Sequence, residues 1–501
     1  MNRHHFFSLF LLSLLLTACQ AAIRQETGCS PETGCSPETG RSPKFGTGCA
    51  NPVLDHHYTA DPTAVEYEGR LYLYATNDHQ QYDSVGPDGR NTYQHIRSLV
   101  VASTDDMVNW TYHGTIDVGS IAPWSMASWA PSIVSRREAD GLTHFYLYYS
   151  NSGAGVGVLT ATSPLGPWSD PLGRTLVDGN TPGLGQCKAP FDPGVVIDDD
   201  GCGWLSFGGG DSDSLIPGDA RIARLGADMM SLDGPPVEIK APYHFEANEL
   251  NYLNGTWIYT YNNNWKPRTQ WPYEGTEVPS ACSMSYMTSR TPLQSDSWHY
   301  VGHYFKNPGD YGMSHSNNHT HLHRYGGRYY LFYHTLGLQE SHQVEGGFRS
   351  VCVDEIEVDE SHLLIHMGQA TAAGVSQLKP LDAFTLQQAS TTAATHAVRF
   401  LPADGAGHTV ATACAVGAAT EVRGVQFGRT ARSVALKVWG TGTLEVRSSA
   451  ADGSLLASVP FSTDSWQVVR AECSVAPADA STLYFVWREG YFRFDEWQFF
   501  E

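Results

Sequence analysis

The stretch that decides the fold is Tyr58-Thr-Ala-Asp-Pro-Thr-Ala-Val65, followed by Gly69-Arg-Leu-Tyr-Leu-Tyr-Ala-Thr76. A polar residue opens a short apolar strand, and a glycine turn leads to a strand in which aromatic residues alternate. The same unit recurs four more times, and its aromatic strands are marked in turn by Tyr72, Phe145, Trp204, Trp257 and Tyr329. These positions lie about 73, 59, 53 and 72 residues apart, which is the range of a propeller blade with loop insertions.

Alternating aromatic and β-branched residues bounded by glycine predict strands, and no long stretch has the helical period. We therefore expect an all-β fold, a five-bladed β-propeller in which the first strand of each blade lies near the central axis. The residues that open those five strands are Asp61, Trp129, Asp192, Glu246 and His319. Three carboxylates, an indole and an imidazole are thereby predicted to converge on one end of the axis.

The length and charge of the chain restrict what it can be and bind. With 501 residues, it has room for more than one domain. Its formal net charge of −21 argues against nucleic acid or an anionic membrane surface as a partner. The many aromatic residues suit both the packing of propeller blades and stacking on sugar rings, so composition alone does not separate core from site.

Residues 1–19 are predicted to be a targeting segment. Phe6–Leu16 is an apolar run too short to span a bilayer, and Arg3 places a positive charge before it. The run ends in Leu16-Thr-Ala-Cys19, which resembles the lipobox of bacterial lipoproteins, where the cysteine becomes the lipidated first residue. We expect an exported lipoprotein at the cell surface or in the periplasm, attached to the membrane only through a lipid anchor. An ordinary secretory signal is the alternative.

A low-complexity linker is predicted at residues 20–48. A hexapeptide that begins at Glu26 repeats from Glu32 and from Glu38, and its Pro, Gly, Ser and Thr cannot bury a core. The linker and the residue after it contain Cys29, Cys35 and Cys49, whose spacing is not a zinc signature. In an oxidising compartment these cysteines could pair, with a connectivity that the sequence leaves open.

Two structured domains are predicted after the linker. Residues 49–382 form the propeller, and Leu378–Leu386 leads into a second domain at residues 383–501. That domain is predicted to be a β-sandwich of jelly-roll type, because its segments alternate as half-buried strands. The clearest of these segments are Ser433–Trp439, Gly442–Arg447, Thr482–Trp487 and Tyr491–Phe500.

The carboxylates at the axis suit the hydrolysis of a glycosidic bond. That reaction needs one carboxylic acid to protonate the leaving oxygen, and a second carboxylate to attack or to activate a water molecule. Asp61 and Glu246 belong to blades one and four and would face each other across the axis, so we expect the wider spacing of an inverting enzyme. Asp192 lies between them, where its charge would raise the pKa of Glu246 and keep that acid protonated.

The order of these motifs resembles glycoside hydrolase family 43 over about residues 50–382. The segments that carry the resemblance are Ala-Asp61-Pro, Trp129-Ala-Pro, Phe191-Asp192-Pro, Phe245-Glu246-Ala, Asn-Asn-His319, Ser163–Trp168 and Phe348–Asp354. The resemblance implies a five-bladed propeller and an inverting mechanism. An organic cofactor is not expected.

The same resemblance implies roles for single residues. Asp61 would be the general base, Glu246 the general acid, and Asp192 the residue that modulates the pKa of the acid and orients it. His319 is predicted to bind substrate and matches a position beside a calcium ion, either structural or on the axis, which it would contact through water unless it acts alone. Arg349 matches an arginine that contacts the terminal sugar.

Some of these residues have a second interpretation. Glu249 could be the acid instead of Glu246, and strand alternation would send the two side chains to opposite faces. Trp129 could be a sugar-stacking wall or ordinary packing between blades, and Arg349 could merely pair with Asp354 or with a surface acid. Other histidines lie two or four residues from His319, namely His315, His321 and His323. A zinc site formed by these side chains is therefore an alternative.

The C-terminal domain resembles carbohydrate-binding module family 6 through Gly440–Arg447, Ser465–Gln467 and Phe494–Phe499. It departs from that family where ligands bind. The Glu-x-Glu that supplies a calcium ligand reads Gln387-Gln-Ala389, and the asparagine expected before the final strand is not evident. Trp466 could form a sugar platform or belong to the core.

Together these features predict an exo-acting glycoside hydrolase that removes a terminal pentose from plant cell-wall polysaccharide or oligosaccharide. A propeller joined to a family 6-like module resembles the arabinoxylan-acting members most, so α-L-arabinofuranosidase is the first expectation and β-xylosidase the alternative. A surface glycan-binding protein whose propeller no longer cleaves is an alternative from another class. Such a protein would have lost one of the three carboxylates, and all three are present. The oligomeric state is left open.

Overall fold

The computed structural model describes residues 48–501, except 404, 406, 476, 478 and 479. The predicted targeting segment and almost all of the predicted linker, with Cys19, Cys29 and Cys35, lie outside the described residues. The described part is an all-β fold, as predicted, in which a five-bladed propeller is followed by a C-terminal β-sheet domain. No helix in this part has the length and hydropathy to cross a membrane.

Each of the first four blades has four antiparallel strands of its own. Blade one contains β1 (Ala60–Tyr67), β2 (Arg70–Thr76), β3 (Leu99–Thr104) and β4 (Trp110–Ile116). Blade two contains β5 (Trp129–Arg137), β6 (Thr143–Ser150), β7 (Gly155–Ala161) and β8 (Val177–Asp178). Blade three contains β9 (Gly194–Ile197), β10 (Gly203–Phe207), β11 (Arg221–Arg224) and β12 (Val237–Glu238). Blade four contains β13 (His244–Leu253), β14 (Thr256–Asn263), β15 (Met284–Ser289) and β16 (His299–Phe305).

Blade five closes the propeller onto its own beginning. Its sheet has three strands, β17 (Thr320–Tyr325), β18 (Arg328–Thr335) and β19 (Ser350–Ile356). The segment before β1 runs beside β19, because the amides of Val53 and Thr59 donate to the carbonyls of Val351 and Arg349, both at 2.8 Å. The ring is therefore joined by backbone hydrogen bonds between its two ends.

Tight turns explain why the aromatic strand follows the first strand so closely. In blade one, Glu68 and Gly69 have φ angles of 51° and 76°, the positive values that a two-residue type I′ hairpin requires. The same geometry recurs at Asn254–Gly255 in blade four and at Gly326–Gly327 in blade five. The predicted marker residues lie on the second strands β2, β6, β10, β14 and β18, namely Tyr72, Phe145, Trp204, Trp257 and Tyr329.

The first strands surround the axis and set the position of the site. β1 contacts β5 and β17, β9 contacts β5 and β13, and β13 contacts β17. Apolar side chains fill the space between blades; Leu71 and Leu73 of blade one, for example, belong to the same buried cluster as Phe332 and Val353 of blade five. All five first strands begin at the same end of the axis, which we call the carboxylate face.

The helices are short and lie in loops. They are α1 (Asp78–Val85), α2 (Val118–Ile121) and α3 (Gly337–Ser341), with 3-10 turns at Ser152–Ala154, Ser295–Ser297 and Pro308–Tyr311. α1 follows β2, α2 follows β4 and α3 follows β18, so all three lie on the carboxylate face. The side chain of Asn77 caps α1 by accepting the amide of Gln80 at 3.2 Å.

The C-terminal domain is built around one long strand and packs on blade one. After the hairpin β20 (Val358–Asp359) and β21 (Leu364–Ile365), its strands are β22 (Leu381–Asp382), β23 (Gln387–Gln388), β24 (Thr391–Thr392), β25 (Ala394–His396), β26 (Val398–Pro402), β27 (Thr409–Ala413), β28 (Ala419–Gln426), β29 (Ser433–Ser448), β30 (Ser454–Glu472) and β31 (Ala480–Phe500). β31 pairs with β27, β28 and β29 around a core that includes Trp487 and Trp497. β24 pairs with β4 and so adds a fifth strand to blade one.

Candidate active site

Blades one to four each have a residue with an unusual backbone conformation near the start of the first strand or, in blade three, two residues before it. These residues have positive φ angles, which non-glycine residues rarely adopt: Asp61 (50°), Ala130 (39°), Asp192 (49°) and Ala247 (59°). In blades one, two and four the strand register shifts at this point, which is a β-bulge. Proline follows in three of the four cases, because a bulge is one of the few places where a strand tolerates it; these prolines are Pro62, Pro131 and Pro193.

Hydrogen bonds from blade to blade hold these four residues in place. The backbone amide of each donates to a side chain of the preceding blade, and we call the set the amide ring. Its donor and acceptor pairs are Asp61 with Nδ1 of His334 (3.2 Å), Ala130 with Oγ1 of Thr76 (2.8 Å), Asp192 with Oγ of Ser150 (2.8 Å) and Ala247 with Oδ2 of Asp192 (2.9 Å). Each strained residue is therefore positioned by its neighbouring blade, and two of the predicted carboxylates belong to the ring.

Asp61 is buried among groups that stabilise its ionised form. Its Oδ1 accepts from Nη1 of Arg349 at 2.9 Å, and its Oδ2 accepts from the hydroxyl of Thr76 at 2.8 Å. Nδ1 of His319 lies 3.6 Å from Oδ1. Burial by itself would raise the pKa of Asp61, but the guanidinium of Arg349 first, then the imidazole of His319 and the hydroxyl of Thr76, outweigh it and bring that pKa below its ordinary value.

His334 is the member of the amide ring that accepts the backbone amide of Asp61. Because its Nδ1 accepts the amide of Asp61, its proton is on Nε2, which donates to the carbonyl of Asn317 at 2.8 Å. Burial lowers the pKa of His334 to about 3, so the ring is neutral and its tautomer is fixed at neutral pH.

Arg349 is buried against Asp61 rather than paired with Asp354. Its Nε and Nη2 donate to the two oxygens of Asp78 at 2.9 and 2.8 Å, and its guanidinium lies 4.9 Å from the ring centre of Tyr93. Asp354 accepts instead from other groups, so the interpretation of Arg349 as its partner is wrong; these groups are Asn51, Tyr333 and Thr371.

Glu246 has the opposite electrostatic environment. Burial, followed by the charges of Asp192 and Asp61, raises the pKa of Glu246 to about 8. Asn317 approaches its Oε1 with Nδ2 at 3.5 Å. Asp192 is itself buried, and its Oδ1 lies 3.3 Å from the hydroxyl of Ser150. Burial and the charge of Asp61 raise the pKa of Asp192, although His319 and two hydrogen bonds oppose the rise.

Glu249 does not lie on the opposite face from Glu246, so the expectation from strand alternation is wrong. Glu246 pairs with Asn262 and Glu249 pairs with Thr260, so three residues on β13 oppose two on β14. The bulge at Ala247 supplies the extra residue and returns both side chains to one face. Glu249 is buried deeper along the strand, where its Oε1 lies 2.5 Å from Nδ1 of His321.

Trp129 forms part of the wall beside Arg349. Its Nε1 donates to the carbonyl of Tyr93 at 3.1 Å, and the two rings meet edge to face at 5.9 Å. Trp129 is only partly buried, and the ring of Tyr93 also contacts the guanidinium of Arg349. An aromatic wall with one open face at the mouth of a site suits contact with a sugar ring.

The histidines near His319 do not converge on a metal site. His315 contacts Asp310 at 3.2 Å, whereas His321 contacts Glu249 and lies 3.2 Å from His323. Within the described ranges, no group of three or more His, Cys, Asp or Glu side chains is arranged to hold a metal ion. A calcium ion prefers several oxygen ligands, and His319 with Asp61 does not provide such a set. Calcium at the axis stays a prediction, in which water would supply most of the ligands.

Trp466 of the C-terminal domain is partly exposed on β30. Its ring contacts Trp439 edge to face at 5.7 Å, and Nζ of Lys437 lies 5.9 Å from its centre. Gln387, at the position of the missing Glu-x-Glu, pairs with Trp497 in the sheet. Binding of glycan by this domain stays a prediction.

Three residues of the site were not identified from the sequence. Thr76 bonds both Asp61 and the amide of Ala130, Asp78 bonds Arg349, and His334 bonds the amide of Asp61. Thr76 is the last residue of a predicted strand, and this position could have identified it as a candidate site residue. Nothing local distinguishes Asp78 or His334, because their partners are more than 250 residues away.

Comparison with known proteins places this site in a family. Residues 49–364 match the model of the family described as glycosyl hydrolases family 43. The chain belongs to glycosyl hydrolase family 43. The match covers all five blades and includes Asp61, Asp192 and Glu246.

This family 43 hydrolase is similar to two arabinoxylan arabinofuranohydrolases. One, from Bacillus subtilis (strain 168), is 35% identical over 488 residues, which cover 90% of this chain and 92% of the relative. The other, from Paenibacillus polymyxa, is 36% identical over 362 residues, which cover 69% of this chain and 55% of the relative. A crystal structure of a family 43 arabinoxylan arabinofuranohydrolase from Bacillus subtilis, in complex with cellotetraose, superposes with a TM-score of 0.84 and 33% identity, covering 92% of this chain and 100% of that one.

Proposed function

We propose that this family 43 hydrolase is an exo-acting, inverting α-L-arabinofuranosidase that removes terminal arabinofuranose from arabinoxylan. The observation that carries the proposal is a pair of carboxyl groups at one end of the axis whose pKa values move in opposite directions. The pKa of Asp61 is lowered and that of Glu246 is raised to about 8. Opposed shifts of this kind identify a base and an acid that work together near neutral pH.

In the proposed reaction, one displacement inverts the anomeric carbon. Asp61 takes a proton from a water molecule, whose oxygen forms a new bond to the anomeric carbon. Glu246 gives its proton to the glycosidic oxygen as the bond from that oxygen to the anomeric carbon breaks. The products are free arabinose and a xylan hydroxyl. Asp192 supports the acid through its charge and through its bond to the amide of Ala247, the residue after Glu246.

The choice of arabinoxylan rests on the relatives. Both curated relatives described above are named arabinoxylan arabinofuranohydrolases, and one of them matches along 92% of its own length. The aromatic wall of Trp129 and Tyr93 beside Arg349 supports contact with the terminal sugar at the same end of the axis.

A substrate screen tests the proposal. The purified protein is incubated with wheat arabinoxylan and, separately, with linear xylo-oligosaccharides, and the first-formed anomer is read by proton NMR. We expect arabinose, released first as the β-anomer. Xylose from the linear oligosaccharides would support β-xylosidase instead, and glycan binding without release of any sugar would support a non-catalytic binding protein.

Two variants test the roles of the carboxylates. Glu246→Gln should lose several orders of magnitude in kcat on arabinoxylan, but much less on an aryl arabinofuranoside whose leaving group needs no protonation. Asp61→Ala should lose activity on both substrates, because the water molecule is activated in either case. Equal losses in Glu246→Gln on the two substrates would show that Glu246 is not the acid.

We also propose, from residues 1–19, that the protein is exported and lipid-anchored through Cys19. Metabolic labelling with a radioactive fatty acid in a bacterial host should mark the wild-type chain and not Cys19→Ser. Labelling of neither chain, with cleavage near the same position, would indicate an ordinary secretory signal.

A further inference from the structure

Asp78 is a wholly buried carboxylate beside the site that none of the proposed chemical steps uses. It is the first residue of α1 and has 0% of its surface exposed. Its charged neighbours are Arg349, which it contacts directly, and Asp61, which lies on the other side of the same guanidinium. A buried carboxylate is unfavourable unless its charge is compensated, so its position calls for a reason.

The hydrogen bonds of Asp78 require a carboxylate. Oδ2 accepts from Nε of Arg349 at 2.9 Å, from the backbone amide of Arg349 at 3.0 Å and from Nδ2 of Asn91 at 2.7 Å. Oδ1 accepts from Nη2 of Arg349 at 2.8 Å. All four contacting groups are N–H donors. An asparagine in place of Asp78 would therefore bring its own N–H donors against at least one of these N–H groups.

These bonds fix the direction of the guanidinium. Asp78 holds the edge formed by Nε and Nη2, which is the bidentate geometry that an arginine fork prefers. The ring of Tyr93 lies against the guanidinium at 4.9 Å. With one edge and one face held, Nη1 is left pointing at Oδ1 of Asp61, 2.9 Å away.

We propose that Asp78 is a positioning residue for the hydrolysis: it aims Arg349 at Asp61 and thereby holds the base in its working position. This inference rests on the proposed function, since it takes Asp61 to be the base. It assigns Asp78 no contact with substrate. Its loss should therefore act mainly on the rate of the bond-breaking step, with a smaller effect, through Arg349, on binding of the sugar.

Kinetics of Asp78→Asn test the inference. On an aryl α-L-arabinofuranoside, we expect kcat to fall by about 10- to 100-fold, as for a misplaced catalytic group, with KM changed by less than about threefold. The matched control is Asp354→Asn, an equally hydrogen-bonded buried aspartate that does not contact Arg349, which should lower the melting temperature and leave kcat within about twofold. Equal kcat values in Asp78→Asn and the wild type would overturn the inference.

A double-mutant cycle with Arg349→Met separates positioning from stability. If Asp78 acts through Arg349, adding Asp78→Asn to Arg349→Met should cause no further loss of kcat. Losses that multiply would overturn the inference. The same cycle with Asp354→Asn should show independent effects.

Two further outcomes keep the result decisive. If Asp78→Asn does not fold, Asn91→Ala, which removes one donor to Asp78, replaces it. A three- to tenfold loss of kcat at constant KM then supports the inference, and wild-type kcat overturns it.

If the wild-type protein releases no sugar from any substrate, the proposed function fails first, and that result is separate from the comparison of variants.

Discussion

The alkaline limit of activity should be set by the raised pKa of Glu246, to which burial contributes most and the charge of Asp192 next. The rise in the pKa of Glu246 from 4.5 to about 8 corresponds to roughly 5 kcal/mol in favour of the protonated acid, at about 1.36 kcal/mol for each pH unit. Because the acid must be protonated to act, kcat/KM should fall as the pH rises through about 8. At low pH, activity should be retained to below pH 4, because the pKa of Asp61 is lowered.

Asp192→Asn removes the charge and preserves the shape. The new amide oxygen can still accept the amide of Ala247, and the new NH₂ group can donate to the hydroxyl of Ser150, which faces Oδ1 in the wild type. A neighbouring charge changes a pKa by about 1 to 3, so we take a change of about 1.5 and expect the alkaline limb near pH 6.5. The protonated fraction of Glu246 then falls about eightfold relative to the wild type at pH 7.5 and hardly at all at pH 5.5.

The assay is the release of arabinose from arabinoxylan, whose leaving group needs protonation, in stopped samples between pH 4 and 9. Ser150→Ala is the matched control, because it removes a hydrogen bond to Asp192 and leaves the charge; its alkaline limb should stay near pH 8. If the activity of Asp192→Asn still falls near pH 8, whatever its maximal rate, the electrostatic role of Asp192 is refuted.

Three further predictions concern the surroundings of the site. Thr76→Val should lower kcat roughly tenfold and the free energy of unfolding by about 1–3 kcal/mol, because the hydroxyl bonds both Asp61 and the amide of Ala130. Thr76→Ser, which keeps the hydroxyl, is the control. Stopped-flow or steady-state rates measure the effect on kcat, and thermal melts measure the effect on stability. Glu249→Gln should keep kcat within about twofold and stability within about 1 kcal/mol, since a glutamine oxygen can still accept from His321. Dialysis against EDTA should lower the melting temperature, and Ca²⁺ rather than Mg²⁺ should restore it, if the predicted axial calcium is bound.

Each of these has a contradicting outcome. Wild-type kcat in Thr76→Val would show that the hydroxyl does not position Asp61. A collapse of kcat in Glu249→Gln would move the acid from Glu246 to Glu249. Identical melting curves with and without EDTA would remove calcium from the description of the protein.

The blades could be predicted from the sequence because their signal is local. An alternating aromatic strand after a glycine turn requires only nearby residues, and the five markers all lie on second strands. The three carboxylates were found for the same reason, since each stands at a strand start that repeats. Proline was part of that signal: Pro62, Pro131 and Pro193 follow three of the positive-φ residues.

The remainder of the site depends on what the fold brings together. Alternation failed at Glu249 because a bulge at Ala247, which has no proline after it, adds one residue to the strand. Asp78 could not be recognised because its partner Arg349 is 271 residues away. Proline would have been a usable clue to the bulges in blades one and two, but no local feature indicates which buried aspartate holds an arginine.

The amide ring has a consequence for how the enzyme comes into being. Asp61 emerges early in translation, whereas His334, which accepts its amide, is 273 residues further along the chain. Until blade five has been made and joined to the segment before β1, Asp61 has neither that acceptor nor Arg349 beside it. A polypeptide that lacks blade five therefore lacks the contacts that hold Asp61, and under the proposed function we expect no hydrolysis until that blade has closed the ring.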